Sequence, residues 1–521
     1  MLARAFTSIV VGVRAIPIEV EARLFGGQPN FSIIGLGDNA VKEARDRVQS
    51  ALSILNYCHR GRVLINLAPA ELKKEGSSFD LAITVGILAA AKVIPAGALE
   101  GRHLFGEIAL NGEIRPVRGV VSSAIVAKEL GVGEIIVPFD NIEEASLISG
   151  LTVRGARSVA EVAAYLKGVG ELPVAAEIDS KVRSGVRDQY SFRGDLFTEV
   201  LGQERAKRAL TIAAAGGHNV LLIGPPGCGK SMLASRFTGL LPRLNEREKL
   251  EVVKIHSVAG SNIRPLLDGE PPFRAPHHIV SDVGLIGGGA FPKPGEISLA
   301  HRGVLFLDEF PEFRRNALEA LRAPLEQGSV TVTRAKSTVT YPAEFQLIAT
   351  MNPCPCGRLG SNTLSKEACM CSRSAIKNYL RKLSGPILDR IDLHVELESV
   401  PISTLTQEST SNIQNKGAKD LLCSKIFSIR KNQIDHRGAL NSRLTNQALK
   451  KVVRFERKAL NLAEQMAQKL SLSARSYFKV LKIALTISEL NDSSEIKSEH
   501  LAEALSYRVL DRIAKYAEGN G

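Results

Sequence analysis

Residues 219–233 read NVLLIGPPGCGKSML, an apolar run that ends in a glycine-rich turn. Lys-Ser and a helical pattern follow, which is the strand–loop–helix context of a phosphate-binding loop, or P-loop. An ordinary glycine-rich turn is the alternative, but it does not require Lys-Ser before the helix. We expect Lys230 to reach the β- and γ-phosphates of ATP and the Ser231 hydroxyl to bind Mg²⁺. The predicted nucleotide-binding loop consists of Gly224, Pro225, Pro226, Gly227, Cys228, Gly229, Lys230 and Ser231.

A second motif, GVLFLDEF at residues 303–310, predicts the other half of a nucleotide site. Its apolar strand ends in two acids, at the edge of a parallel sheet where ligands bind. We expect Asp308 to hold Mg²⁺ through water and Glu309 to polarise the attacking water. A buried strand that merely ends in Asp-Glu is the alternative, and the P-loop upstream favours the nucleotide interpretation.

Three more polar residues follow in the order that a nucleotide-hydrolysing motor requires. Asn352 ends the buried strand FQLIATMNP and fits a sensor that positions the hydrolytic water. Arg390, in SGPILDRID, fits an arginine finger given in trans to a neighbouring subunit. Arg475, in SLSAR, opens a helix and fits a second arginine sensor in a lid. For either arginine alone a surface salt bridge is the simpler interpretation. An arginine that acts across an interface implies a ring, which we expect to be a hexamer.

Four of the seven cysteines form two close pairs, Cys354-Pro-Cys356 and Cys369-Met-Cys371. Four thiolates so arranged can close a tetrahedral Zn²⁺ site with no open position, which would be structural. The one-residue spacing is tighter than usual, so four reduced thiols remain the alternative. An odd cysteine count without a secretory signal argues against a disulfide framework.

Length and charge set the broad class of the protein. At 521 residues the chain is too long for one core, and length alone suggests about three domains. Its longest apolar run is too short to span a bilayer, so we expect no membrane partner. The apolar stretch near its start does not read as a signal peptide, so we expect a cytoplasmic protein. The net charge is +13, and residues 416–482 alone carry 16 basic and 4 acidic side chains. Such a surface attracts nucleic acid, although a solvated helical face is an equal alternative on charge alone.

The first third of the chain alternates short strands with helices and has no P-loop of its own. Apolar periodicity predicts strands at 9–13, 18–24, 62–67 and 135–138, and helices at 40–55 and 79–91. A polar stretch with proline, serine and glycine follows and predicts a linker at 169–194.

The motifs together resemble the magnesium-chelatase-like branch of AAA+ ATPases, and specifically the YifB/ComM family. Further matching stretches are PFRAPHH (272–278) and PGEISLAH (294–301). In the first third, GLGDNAVKE (35–43), NLAPA (66–70) and KEGSSFD (74–80) resemble the Lon-protease-like fold of that family. The resemblance implies an α/β protein with a non-proteolytic Lon-like (S5-like) domain at 1–168, an AAA+ core at 195–400 and a basic helical lid at 401–521.

The resemblance also implies a function. It predicts a ring motor that hydrolyses ATP with Mg²⁺ and acts on single-stranded or branched DNA, as a ComM-like branch-migration helicase in recombination during natural transformation. The alternative is a magnesium-chelatase-type motor that remodels a protein partner, against which stand the N-terminal domain and the cysteine pairs. An ATP-dependent protease is disfavoured, because Ser78 falls near the place of the nucleophile but Val121 occupies that of the lysine base.

Residues 326–341, EQGSVTVTRAKSTVTY, predict a β-hairpin with a basic tip. In related AAA+ motors such a hairpin lines a central pore, so Arg334 and Lys336 are candidates for holding the phosphates of a threaded strand. A solvated turn is the alternative. The glycine-rich stretch 280–290 resembles the other pore insert.

Overall fold

A computed structural model describes residues 2–35, 38–59, 61–69, 76–175, 200, 202–289, 292–334, 337–359, 369–398, 414–469, 473–510 and 513. The chain divides into two compact units, each made of two segments. The first unit is Met1–Tyr190 with Glu246–Asp268, and the second is Ser191–Asn245 with Gly269–Gly521.

The first unit is built on a seven-stranded mixed sheet of order β3-β4-β2-β1-β5-β8-β9. Its strands are β1 (Leu2–Val11), β2 (Arg14–Phe25), β3 (Asn30–Ile34), β4 (Arg62–Ala68), β5 (Arg102–Leu104), β8 (Glu134–Pro138) and β9 (Thr152–Ala156). β2 pairs antiparallel with β1 and β4, and the other neighbours are parallel. A separate ribbon joins β6 (Glu107–Ile108) to β7 (Ile114–Arg115). Such a mixed sheet buries one face against helices.

In the described part of its first segment, the α-helices of this unit are α1 (Asp38–Ile54), α2 (Asp80–Ala90), α3 (Val120–Glu129), α4 (Ile142–Ala145) and α5 (Val159–Leu166). Every residue of α2 is buried, as expected for a helix that is apolar all round. The apolar face of β2 (Ile18, Val20 and Ala22) is fully buried beneath it. The strands predicted at 18–24, 62–67 and 135–138 and the two predicted helices are confirmed, whereas the strand predicted at 9–13 ends at Val11. β1 begins earlier than predicted, at Leu2, because its first inward side chains are the weakly apolar Ala3 and Ala5.

Two features of the structure bear on the predicted domain boundaries, which stay predictions. The segment 246–268 falls within the range assigned to the ATPase core, yet α8 (Glu246–Ala259) and α9 (Arg264–Leu267) belong to the first unit. α8 packs against α3, and the Gly119 N–H donates to the Ser257 hydroxyl at 3.0 Å. Within the predicted linker, Leu172 is buried and the Pro173 carbonyl accepts from the Gly155 N–H, so these two residues pack against the first unit. Residues 176–199 of that linker lie outside the described residues.

The second unit contains a five-stranded, fully parallel sheet of order β11-β14-β17-β10-β18. Its strands are β10 (Val220–Ile223), β11 (Phe273–Arg274), β14 (Val304–Leu307), β17 (Gln346–Met351) and β18 (Leu393–Glu396). β10, β14 and β17 are buried along their whole length, which is why each reads as an uninterrupted apolar run. Their carboxyl ends therefore share one edge of the sheet.

Short helices and two ribbons connect these strands. The helices of the sheet region are α6 (Glu204–Gly216), α7 (Lys230–Arg236), α10 (Asp282–Ile286), α11 (Glu296–Leu299), α12 (Arg315–Ala320), α13 (Arg322–Gln327), α14 (Arg373–Leu380) and α15 (Gly385–Leu388). The ribbons are β12 (Gly287–Gly288) with β13 (Lys293–Pro294), and β15 (Ser329–Arg334) with β16 (Ser337–Pro342). The second ribbon confirms the predicted hairpin.

The helical lid shares its core with the sheet. Its helices are α16 (Gln414–Arg437), α17 (Asn446–Val452), α18 (Arg457–Lys469), α19 (Ala474–Leu490) and α20 (Ser498–Ser506). One contiguous apolar cluster contains Val220 of β10 together with Ile426 of α16 and Ile483 of α19. Because the lid buries its apolar face against the sheet region in a close-packed core, a displacement of side chains in one part alters the packing of the other.

Candidate active site

The P-loop lies between β10 and α7, as the sequence predicts. Gly227 and Gly229 have φ angles of 77° and 89°, which favour glycine, and α7 begins directly afterwards at Lys230. At Gly224 a Cβ would lie 2.8 Å from the Leu397 carbonyl oxygen, so a side chain does not fit there. The loop therefore has the close backbone path and the helix start that an anion site requires.

Lys230 lies where the P-loop meets the predicted sensor. Its ammonium donates to the carbonyl oxygens of Gly224 and Pro225 at 2.7 and 2.8 Å, and to Asn352 Oδ1 at 3.1 Å. Burial lowers the pKa of Lys230 below its ordinary value. Because two of its acceptors are neutral carbonyls of its own loop, a phosphate group offers the ammonium a stronger partner.

The two predicted magnesium ligands are brought together. The Ser231 hydroxyl donates to Asp308 Oδ2 at 2.8 Å, across the edge of the sheet. Hydroxyl and carboxylate oxygens are the hard donors that Mg²⁺ prefers, so this pair fits the ion. Thr350 was missed by sequence reasoning. Its hydroxyl donates to Asp308 Oδ1 and accepts from the Glu309 N–H, and its only signal is a hydroxyl buried within β17.

Glu309 has a partner that sequence reasoning also missed. Its Oε2 lies 3.3 Å from Nδ1 of His278, and its backbone has a φ of 53°. The His278 ring contacts the ring of His277 (centroids 4.2 Å apart) and the edge of Phe313. The sequence signal that could have revealed this contact is the pair of histidines soon after β11, because β11 pairs with β14, the strand that precedes Glu309.

These groups surround one cavity of about 890 Å³. The P-loop, Asp308, Glu309 and Asn352 form part of its wall. The segment after the sensor forms the rest, through Pro355, Asn378, Tyr379 and Lys382. A cavity of this size accommodates a nucleotide.

The two predicted catalytic arginines lie together, but not at this cavity. Neither Arg390 nor Arg475 is among the described residues that line it. Instead Arg390 Nη2 donates to Glu326 Oε1 at 2.5 Å, and Arg475 Nη2 donates to the same oxygen at 3.0 Å. The action of Arg390 on a neighbouring subunit and the role of Arg475 as a sensor in the lid stay predictions, and neither arginine is among the described residues that line its own cavity.

The four cysteines form a cluster that has the dimensions of a metal site. Their Sγ atoms lie within 4.8 Å of one another. Cys354 Sγ is 3.3 Å from that of Cys356 and 3.7 Å from that of Cys369. A tetrahedral zinc site with Zn–S bonds of about 2.3 Å has S–S edges of about 3.8 Å, so the thiols present fit this ion. The cluster stands directly between Asn352 and α14, whose N-terminus is capped by the Ser372 hydroxyl.

Comparison with known proteins agrees with this architecture. The family model described as "Magnesium chelatase, subunit ChlI" matches residues 196–405, "Subunit ChlI of Mg-chelatase" matches 20–141, and the ChlI C-terminal model matches 421–508. The chain is 41% identical over 514 residues to competence protein ComM of Haemophilus influenzae, covering 98% of each chain. It belongs to the YifB/ComM family of magnesium-chelatase-like proteins.

Two other relatives show the range of this family. YifB of Escherichia coli, named an uncharacterized protein, is 41% identical over 508 residues and 97% of each chain. The magnesium-chelatase 67 kDa subunit of Chlorobaculum tepidum is 27% identical over 161 residues, or 30% of this chain. The AAA+ fold expected of the family corresponds to the parallel sheet, P-loop and lid described above.

The predicted DNA-contact residues are only partly described. Arg334 ends β15, but its side chain and all of Lys336 lie outside the described residues. The hairpin buries one face through Val330 and Val332, and the Tyr341 hydroxyl donates to the Pro292 carbonyl at 2.6 Å. The hairpin is thus anchored to the neighbouring glycine-rich ribbon.

In the first unit, Val121, the residue that stands at the predicted position of the lysine base, is fully buried in α3. Within the described part of the chain, no helix combines the length and the hydrophobicity needed to cross a membrane.

Proposed function

We propose that this chain is a Mg²⁺-dependent ATPase that works as a ring motor on DNA. The single observation that carries the proposal is the convergence of Lys230, Ser231, Asp308, Glu309 and Asn352 on one cavity beside a P-loop. Each of these side chains matches one requirement of phosphoryl transfer to water.

The roles of the side chains follow from their positions. The P-loop N–H groups and Lys230 bind the phosphates, and Lys230 exchanges its carbonyl partners for phosphate oxygens. Ser231 and Asp308 would hold Mg²⁺, which offsets the charge that develops between the β- and γ-phosphates. Glu309 and Asn352 orient the water that attacks the γ-phosphorus, and the products are ADP and inorganic phosphate.

A ring follows from the arginines. Arg390 and Arg475 point to a shared carboxylate away from their own cavity, so we infer that a neighbouring subunit's nucleotide receives them. A closed ring supplies every cavity with such a neighbour, and we propose a cytoplasmic hexamer. The first unit would be a non-proteolytic Lon-like domain, because its candidate base position holds Val121.

DNA is the proposed substrate, on two grounds. The chain carries a concentrated positive charge in residues 416–482, and a relative identical at 41% of positions is named a competence protein. By that likeness we propose a branch-migration helicase of recombination in natural transformation. The second candidate, a motor that remodels a protein, rests on the likeness to a magnesium-chelatase subunit.

The test is the steady-state ATPase rate with and without single-stranded and four-way-junction DNA. Glu309→Gln should bind ATP without turning it over. We expect several-fold stimulation that is lost in Arg334→Ala/Lys336→Ala and that weakens with salt, because phosphate contacts release counterions. Intact basal hydrolysis with no response to any DNA would favour the protein-remodelling candidate.

The cysteine cluster is proposed to hold a structural Zn²⁺. The ion would fix Pro355 and α14 against the cavity that they line. Elemental analysis should find one zinc per chain, and Cys356→Ser/Cys369→Ser should lose it. We expect that variant to raise the KM for ATP, whereas replacing the isolated Cys58 by serine should change neither zinc content nor KM. Metal-free wild-type protein with an ordinary KM would refute this role.

A further inference from the structure

Glu326 lies at the junction of three parts of the second unit. It is in the last turn of α13, and its Oε1 accepts from both Arg390 and Arg475. The hydrogen bond from Arg390, together with the positive charge of both arginines, lowers the pKa of Glu326, so the carboxylate is ionised at neutral pH. One negative charge therefore holds two positive side chains that would otherwise repel each other.

The two arginines behave as parts of one body. Lys479 of α19 donates to the Ile391 carbonyl at 3.0 Å, one residue after Arg390, and α19 also carries Arg475 in its first turn. A cation in the first turn of a helix opposes the helix dipole, so the position of Arg475 is not explained by helix stability. The negative charge of Glu326 offsets the unfavourable interaction between Arg475 and the helix dipole as long as no other anion is bound to the arginine.

Glu326 itself is tied to the hairpin. Two residues later Gly328 has a φ of 67°, and its carbonyl accepts from the Ala343 N–H at 2.8 Å, which closes the base of the hairpin. No flexible spacer separates this base from α13. A displacement of the hairpin base therefore moves the carboxylate relative to the two arginines.

We propose that Glu326 is a positioning residue that retains Arg390 and Arg475 at rest and releases them when the hairpin base moves. The inference rests on the proposed ATPase and on its arginines acting in trans. Glu326 is about half exposed, at 48%, and Arg475 is similarly exposed at 45%, so the ion pair between them is weak. A triphosphate carries more negative charge than one carboxylate and also forms bidentate hydrogen bonds with arginine, so a presented nucleotide binds the arginines once the carboxylate withdraws.

The test compares Glu326→Gln with Glu344→Gln. Glu344 is a matched control because it also lies at the hairpin base and also faces two arginines, Arg302 at 2.7 Å and Arg443 at 3.8 Å. We expect Glu326→Gln to raise basal kcat about fivefold, as for the loss of a competing surface ion pair, with KM for ATP unchanged. Stimulation by DNA should fall towards one, while Glu344→Gln keeps the wild-type values.

A double variant separates release from a general structural effect. Glu326→Gln combined with Arg390→Ala should be as slow as Arg390→Ala alone, because the carboxylate acts only through the arginines. Basal kcat of Glu326→Gln at or below the wild-type value, or equal to that of Glu344→Gln, would overturn the inference. If the wild-type protein does not hydrolyse ATP, the proposed function is overturned instead. The two failures are distinguishable, because the first is seen in the wild type and the second only in the variants.

Discussion

Asp392 connects the lid to the start of the P-loop strand, and replacing it tests how firmly the two are joined. Its Oδ2 accepts from the Asn219 N–H at 3.1 Å and lies 3.6 Å from Nδ1 of His218. Its Oδ1 lies 3.7 Å from the ammonium of Lys479 on α19. One carboxylate therefore joins the amino-terminal ends of β10 and β18 to the lid helix that carries Arg475.

The strength of this connection follows from the pKa of the carboxyl group. Burial raises the pKa of Asp392, but the nearby His218 ring, the charge of Lys479 and the Asn219 N–H lower it more, from 3.8 to about 2. A shift of this size corresponds to roughly 2.5 kcal/mol of stability at neutral pH. Because the folded-state pKa is depressed, this stability is present above about pH 4 and is lost as the pH falls towards 2.

We therefore expect Asp392→Asn to lower the free energy of opening in this region by about 2 kcal/mol at pH 7. Hydrogen exchange of the amides in β10, β18 and α19 measures this free energy of local opening. The method does not require that a chain of two units unfolds in a two-state transition. The gap between wild type and variant should be equal at pH 7 and pH 5 and should narrow below about pH 4. Asp389→Asn, an exposed acid on the same loop, is the control and should change little. Unchanged protection in Asp392→Asn at pH 7, or a gap that widens on acidification, would refute the reasoning.

Three further substitutions test the cavity. Lys230→Ala should abolish ATP binding in calorimetry, because the loop loses its only side-chain cation; binding at wild-type affinity would contradict its role. His278→Ala should lower kcat about tenfold with KM unchanged, because Glu309 loses the partner that orients it; an unchanged kcat would argue against that pairing. Gly357→Ala should raise the KM for ATP, since its φ is 78° and a Cβ would lie 2.6 Å from Cδ of Pro226 in the P-loop; a steady-state titration of ATP measures this.

The parts of the site that could be predicted are those encoded in contiguous sequence. β10, the P-loop and α7 follow one another within 17 residues. The buried parallel strands that precede Asp308 and Asn352 are recognisable in the sequence as apolar runs. The hairpin was predictable for the same reason, because valine and threonine alternate along it with period two. In each case the physical cause is local to the segment.

The remaining features depend on contacts between distant segments. The pairing of His278 with Glu309 depends on β11 lying beside β14, which no local pattern encodes. The segment 246–268 reads as an ordinary amphipathic helix, and nothing in it shows that it packs with the first unit. The shared partner of Arg390 and Arg475 lies 64 and 149 residues away in the chain. Sequence order predicted their roles but could not predict their resting contact.

The difference in strength between the contacts of Asp392 and those of Glu326 determines which contacts in the second unit break first. Asp392 is largely buried, and its contacts are worth roughly 2.5 kcal/mol. Glu326 is half exposed, and its ion pair with the similarly exposed Arg475 is worth at most about 1 kcal/mol. When nucleotide or substrate shifts α13 against the lid, the contacts at Glu326 therefore break first, and α19 stays joined to the loop of Arg390. Both arginines then move together, so one motion of the hairpin base releases the two guanidinium groups at the same time for the nucleotide of a neighbouring subunit.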